Sequence, residues 1–106
     1  MTMQERLNDF YESNIDLEYR DKWSQKAIEL IADGYALGIN DKWVVAQLAN
    51  CNYQEIHKLI INKCRDKVDF WQTDEEDKKL INEMLERHKR ELYKILTSDI
   101  YNYCVR

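Results

Sequence analysis

The sequence predicts an all-α fold: a small helical domain with a central helix-turn-helix and a long C-terminal helix. Three observations carry this. The 106 residues include no proline and only two glycines, so little interrupts a helix from within. Apolar residues recur at three- and four-residue spacing, the period of an amphipathic helix. The segment 45–60, VAQLANCNYQEIHKLI, reads as two helices joined by a tight turn.

The elements follow in chain order. Residues 2–12 form a helix whose stripe is Leu7, Phe10 and Tyr11, interrupted at Ser13-Asn14. Residues 15–19 alternate apolar and charged, but a lone strand has nothing to pair with, so they read as a connection into the next helix. That helix covers about 20–33, with Ala27, Ile28, Leu30 and Ile31 inward, and stops at Gly34, a suitable left-handed terminus. After a loop over 35–41, Asn40 or Asp41 caps a helix over 42–50. A second helix follows over 53–68.

Two steeply crossing helices need a small residue at the close approach, a left-handed residue in the turn and apolar side chains on both inner faces. Ala46, lying against the helix of Ile56, supplies the first. Asn50 supplies the second, because Asn tolerates positive φ. Val45, Ala49, Cys51, Ile56 and Leu59 supply the third. The last helix starts at Thr73-Asp74-Glu75-Glu76, a capping box, and runs past Leu96 toward Tyr101. Its stripe is Ile81, Met84, Leu85, His88, Leu92, Ile95 and Leu96. The chain is thus one domain over 1–106: an acidic arm over 1–23, a helix-turn-helix unit over 24–68 and a packing or dimerisation helix over 73–101.

The segment 24–64, and most specifically its last sixteen residues, resembles the helix-turn-helix of small bacterial and phage DNA-binding regulators and the DNA-binding ends of site-specific recombinases. It departs from that pattern at Asn50, where glycine is usual, and in the length of the loop over 35–41. The resemblance implies a transcriptional regulator of phage or mobile-element type that binds double-stranded DNA. The start of the second helix would meet base edges through Asn52, Tyr53, Gln54, His57 and Lys58, with Lys42, Lys63 and Arg65 on phosphate. Two-fold regulators of this kind pair their long helices, so Ile81, Met84, Leu85, His88, Leu92 and Ile95 are the expected homodimer interface.

Charge argues the other way. Sixteen basic and twenty acidic residues give −4, whereas a phosphate-binding protein concentrates positive charge. Residues 53–67 carry Lys58, Lys63, Arg65 and Lys67 against Glu55 and Asp66, a local +2. The alternative is therefore an acidic protein-interaction module or inhibitor on the same scaffold, of the kind phages direct at host proteins (anti-CRISPR proteins among them). Its arm, with Glu5, Asp9, Glu12, Asp16, Glu18 and Asp21, would face a partner with a basic surface, and Tyr11, Tyr19, Trp23, Tyr101 and Tyr103 would be candidate anchors. The bland reading, core filling, is preferred for Trp23, Trp43 and Trp71.

Other classes find little support. Carboxylates, His57 and His88 form no recognisable local catalytic arrangement, and no glycine-rich phosphate loop exists, so an enzyme is not expected. Cys51, Cys64 and Cys104 have neither CxxC spacing nor an even count, so neither a disulfide framework nor a zinc site is expected; Cys51 and Cys64 read as small buried hydrophobes, and no metal or cofactor is expected. No apolar run approaches the roughly 20 residues that span a bilayer. The first residues, MTMQERLNDF, lack the basic start and apolar run of a signal peptide, and the expected compartment is the cytoplasm.

Overall fold

A computed structural model describes residues 2–15, 17–70 and 75–97. They form six helices: α1 (Met3–Glu12), α2 (Leu17–Arg20), α3 (Gln25–Leu37), α4 (Asp41–Ala49), α5 (Tyr53–Phe70) and α6 (Glu75–Thr97), with no strand among the described residues. The expected all-α class is therefore correct. The capping box at Thr73, Trp71, Asp16, Tyr101, Tyr103 and Cys104 lie outside the described residues.

α3 is the hub. Ala27, Ile28, Leu30, Ile31, Ala32, Ala36 and Leu37 are all buried along it, so almost its whole circumference is covered. Small residues at three of those positions let neighbours approach closely. α1 and α4 pack on α3, while α5 and α6 share the most extensive helix–helix contact and close over it. The molecule is only 18 Å through its thinnest axis, about two helix diameters, so it is a two-layer arrangement. Phe10 sits fully buried on α1, its ring stacked on Tyr19 and tilted against Tyr35. Tyr19 and Tyr35 each keep their hydroxyl satisfied, donating to Asp41 and Asp9 respectively. Of the expected surface anchors, Tyr19 belongs to the interior and half-buried Tyr11 packs against the same core.

Polar caps fix the helix starts. Thr2 accepts from the Glu5 amide, Ser24 from Ala27, and Asn40 from Lys42, the last as expected. α6 adds a further cap, since Asp77 accepts from the Met3 amide and ties α6 to the start of α1.

The turns depart from the sequence expectation in an instructive way. α3 does not stop at Gly34 but continues to Leu37, and Gly38 takes the left-handed conformation, φ 82°. The Ile39 amide donates to the Gly34 carbonyl and the Gly38 amide to Tyr35, a Schellman closure. Gly34 serves a different purpose: a Cβ there would lie 3.3 Å from Val44 Cγ2, so it is the small residue where α3 and α4 approach. Ala46 and Ala49 are exposed, and the inward residues of α4 are Val44 and Leu48. The second turn repeats the first: Asn50 has φ −94°, and Cys51 takes φ 57°, with the Asn52 amide donating to the Gln47 carbonyl. The expected register of α4 is thus wrong by one residue. Burying Leu48 instead of Ala49 removes far more apolar area from water, which outweighs the strain of a left-handed Cys51. Cys51 is exposed and disulfide-bonded rather than buried; Cys64 is the buried free thiol among the described residues.

Two substitutions test this turn geometry. Gly34→Leu should overpack the α3–α4 crossing and lower stability by about 1–3 kcal/mol. Gly38→Ala should cost about 1 kcal/mol, chiefly through the backbone conformation, since the atom its Cβ would meet at 3.3 Å, Arg6 Nη1, ends a flexible side chain. Urea unfolding midpoints measure both. An unchanged midpoint for Gly34→Leu would place the close approach elsewhere.

Candidate functional site

The expected DNA-contacting residues are split by the fold. Asn52, Lys58, Lys42, Lys63 and Arg65 are exposed and Gln54 is half-buried. Tyr53 and His57 are each 1% exposed, so the expectation that they face outward is corrected. The inner stripe of α5 is Tyr53, Ile56, His57, Ile60 and Cys64, rotated from the expected Ile56–Leu59 face. Asn52 spends its amide on Gln47, and Lys58 has Glu55 one turn away at 3.9 Å.

The expected dimer stripe is likewise consumed within one chain. Ile81, Met84 and His88 are buried, and Leu85 and Ile95 pack against the same core. The stripe is largely covered by the protein's own helices; Leu85, Leu92 and Ile95 are half-buried, and Leu92 lines the groove described below.

His57 instead joins a buried polar chain running through three helices. Asp33 on α3, 5% exposed, meets His88 Nε2 of α6 through its Oδ2 at 2.7 Å. His88 Nδ1 faces His57 Nδ1 of α5 at 2.8 Å. Arg87 donates to the same Asp33 oxygen. A carboxylate only accepts, so His88 Nε2 carries a proton, and the two facing Nδ1 atoms share one proton between them. With both rings neutral, that proton belongs to His57 and leaves its Nε2 as a bare nitrogen, which is buried without a hydrogen-bond partner. Lys26, paired with Glu91 at 3.0 Å, stands at the mouth of the adjoining cavity of about 320 Å³. Among the described residues no three His, Cys, Asp or Glu side chains are placed to hold a metal ion.

A groove between α5 and α6 lies beside this chain. Early-α5 His57 meets His88 in the later part of α6, and the two helices follow each other closely in sequence, so they run antiparallel. Buried Ile61 and half-buried Leu92 form the floor, and Tyr93 and Leu96 stand at its side, 69% and 59% exposed. The charged side chains lining it are Lys58, Arg65 and Lys89, and Asn62 completes the wall, enclosing about 450 Å³. Cationic groups gather along this lining, while the exposed acids of the same two helices, Glu55, Asp66, Glu83 and Glu86 among them, lie outside it, Glu55 beside Lys58.

Sequence reasoning found Lys58 and Arg65 but missed Lys89, Tyr93 and Leu96 as their neighbours, and missed the Asp33–His88–His57 chain altogether. Tyr93 did leave a trace: it is an aromatic off the apolar stripe of α6. Asp33 left another, a carboxylate within the otherwise uncharged run from Leu30 to Leu37. Compared with known proteins, the chain matches no family model, no curated protein and no solved structure. No helix among the described residues is long and apolar enough to cross a membrane.

The burial of His57 makes stability depend on pH. Burial first, and then the neighbouring His88, lower the His57 pKa from 6.5 to about 4. The unfolded chain therefore binds this proton at a higher pH than the folded one, and acid favours unfolding. The stability is intact above pH 6.5 and is lost as pH falls from there through about 4, a span of roughly 3 kcal/mol. The urea midpoint should fall measurably between pH 7 and pH 5, and His57→Leu should remove that share of the slope. An identical slope in the variant would detach it from His57.

Proposed function

We propose that the chain is a small helical protein-interaction module, acting as a regulator or inhibitor by holding a protein partner in the α5–α6 groove. The observation that supports this reading is the pairing of exposed Tyr93 and Leu96 with a recessed apolar floor under a rim of cations. Large apolar side chains exposed together over a concave floor, with polar groups around them, are the usual composition of a protein contact. The acidic arm is a weaker contact surface, because of its expected anchors Tyr19 is taken into the core and Tyr11 is half-buried against it. Peptide display against the purified protein tests the proposal. Groove-dependent clones should enrich, and Tyr93→Ala should weaken them by roughly tenfold or more, as expected of an aromatic anchor. Lys79→Ala, on a distant face of α6, should leave them unchanged. Failure to enrich any clone that depends on Tyr93 or Leu96 would overturn the reading.

A second reading, a helix-turn-helix regulator on double-stranded DNA, keeps one specific observation in its favour. Gln54, Lys58, Asn62 and Arg65 follow one another at intervals of four, four and three along α5, a row of amide and cationic groups without a carboxylate. Such groups suit base edges and phosphates. On this reading duplex DNA is retained at low salt and released steeply as salt rises, and Lys58→Ala weakens retention. Electrophoretic mobility shift over a salt series checks it. No retention at low salt would remove DNA and leave the protein partner.

A further inference from the structure

Resting on the α5–α6 groove as a protein-docking surface, we infer that its occupant is an acidic amphipathic α-helix of the partner, laid in the groove with its apolar face down. Charge complementarity sets the sign of the partner. Lys58, Arg65 and Lys89 are the charged side chains lining the groove, all three exposed, and no carboxylate lines it among the described residues. A basic segment would meet like charge on both walls, whereas glutamates flanking an apolar stripe would meet a cation on either side.

Backbone chemistry sets the conformation. Both walls are helices, whose amides along the stretch that faces the groove donate within α5 and α6 themselves. They offer no row of free main-chain groups, so an extended peptide could not add itself as a strand and would bury unsatisfied amides against Ile61 and Leu92. A helix satisfies its own main chain and presents only side chains. Length agrees. The lining runs from Lys58 to Arg65 on α5 and from Lys89 to Leu96 on α6, about 10 Å along each axis at 1.5 Å per residue. That length matches about two turns of a partner helix, whose apolar residues at i, i+3 or i+4, and i+7 would meet Leu92, Tyr93 and Leu96.

Synthetic peptides of roughly 15 residues, long enough to cover the groove and hold a helix, test this on the full chain. One has a leucine stripe flanked by glutamates. The others replace every glutamate by glutamine, replace every glutamate by lysine, or keep the glutamates with a proline at the centre. Fluorescence anisotropy measures affinity, and amide chemical-shift changes locate the contact. The glutamate helix should bind at the groove, about tenfold or more tighter than the glutamine helix, and lose that advantage at high salt. In the double variant Arg65→Glu, Lys89→Glu the lysine peptide should become the better ligand. Equal binding of glutamate and glutamine peptides, or undiminished binding of the proline peptide, would overturn the inference. So would chemical-shift changes away from Tyr93 and Leu96. If none of these peptides binds while display still enriches clones that depend on Tyr93, the acidic helix is wrong and the docking surface stands. If nothing engages Tyr93 or Leu96 in either experiment, both are wrong.

Discussion

A carboxylate on the most buried helix of the protein is the constraint around which the rest is arranged. α3 is covered on nearly every side, and Asp33 in its third turn is 5% exposed. An unpaired ionised carboxylate in such a place would be prohibitively costly. α6 supplies Arg87 and His88 on adjacent residues, both bonded to the same oxygen, and α5 supplies His57 behind His88. Hydrogen bonds need correct distances and directions, whereas apolar contact alone tolerates sliding. The chain therefore fixes where α5 and α6 sit along α3, in a way that leucines and isoleucines in the same places would not.

That fixed placement shapes the outer face. Once His57 and His88 point inward toward each other, the residues beside them on each helix are turned toward the crease between the two. Lys58 and Ile61 follow His57, and Lys89 and Leu92 follow His88, all four lining the groove. The inner polar chain and the outer basic groove are thus two sides of one helix pair. Leu96 and Tyr93 have no equivalent inner role: 59% and 69% exposed, they contribute little to holding the fold.

Much of the fold is readable from the chain because it depends on period and caps. The stripe of α1, the inward face of α3 and the cap at Asn40 follow from spacing and from side-chain chemistry that acts within a few residues. Register is harder. Ala46 and Asn50 suit a tight crossing locally, but the interior gains more from Val44 and Leu48, and Gly34 already provides the close approach. The choice is made between helices, where sequence spacing says nothing. The same holds for His57 and His88, thirty-one residues apart. Each reads as a polar residue at an ambiguous position until Asp33 is placed beside them. The groove depends on which faces remain uncovered, so Lys58 and Arg65 could be recognised as basic while their neighbours Tyr93 and Lys89 could not be assigned to them.

The state of the two imidazoles tests the central constraint most directly. Long-range proton–nitrogen correlation spectra of the histidine rings at neutral pH distinguish a protonated ring nitrogen from a bare one and report exchange between tautomers. The polar chain requires a single fixed tautomer for each ring: a proton on His88 Nε2 toward Asp33, one proton between the facing Nδ1 atoms, and a bare Nε2 on His57. Asp33→Asn should disturb both rings at once. Two rings that average between tautomers and ignore Asp33→Asn would contradict the chain, and with it the account of how α5 and α6 are held.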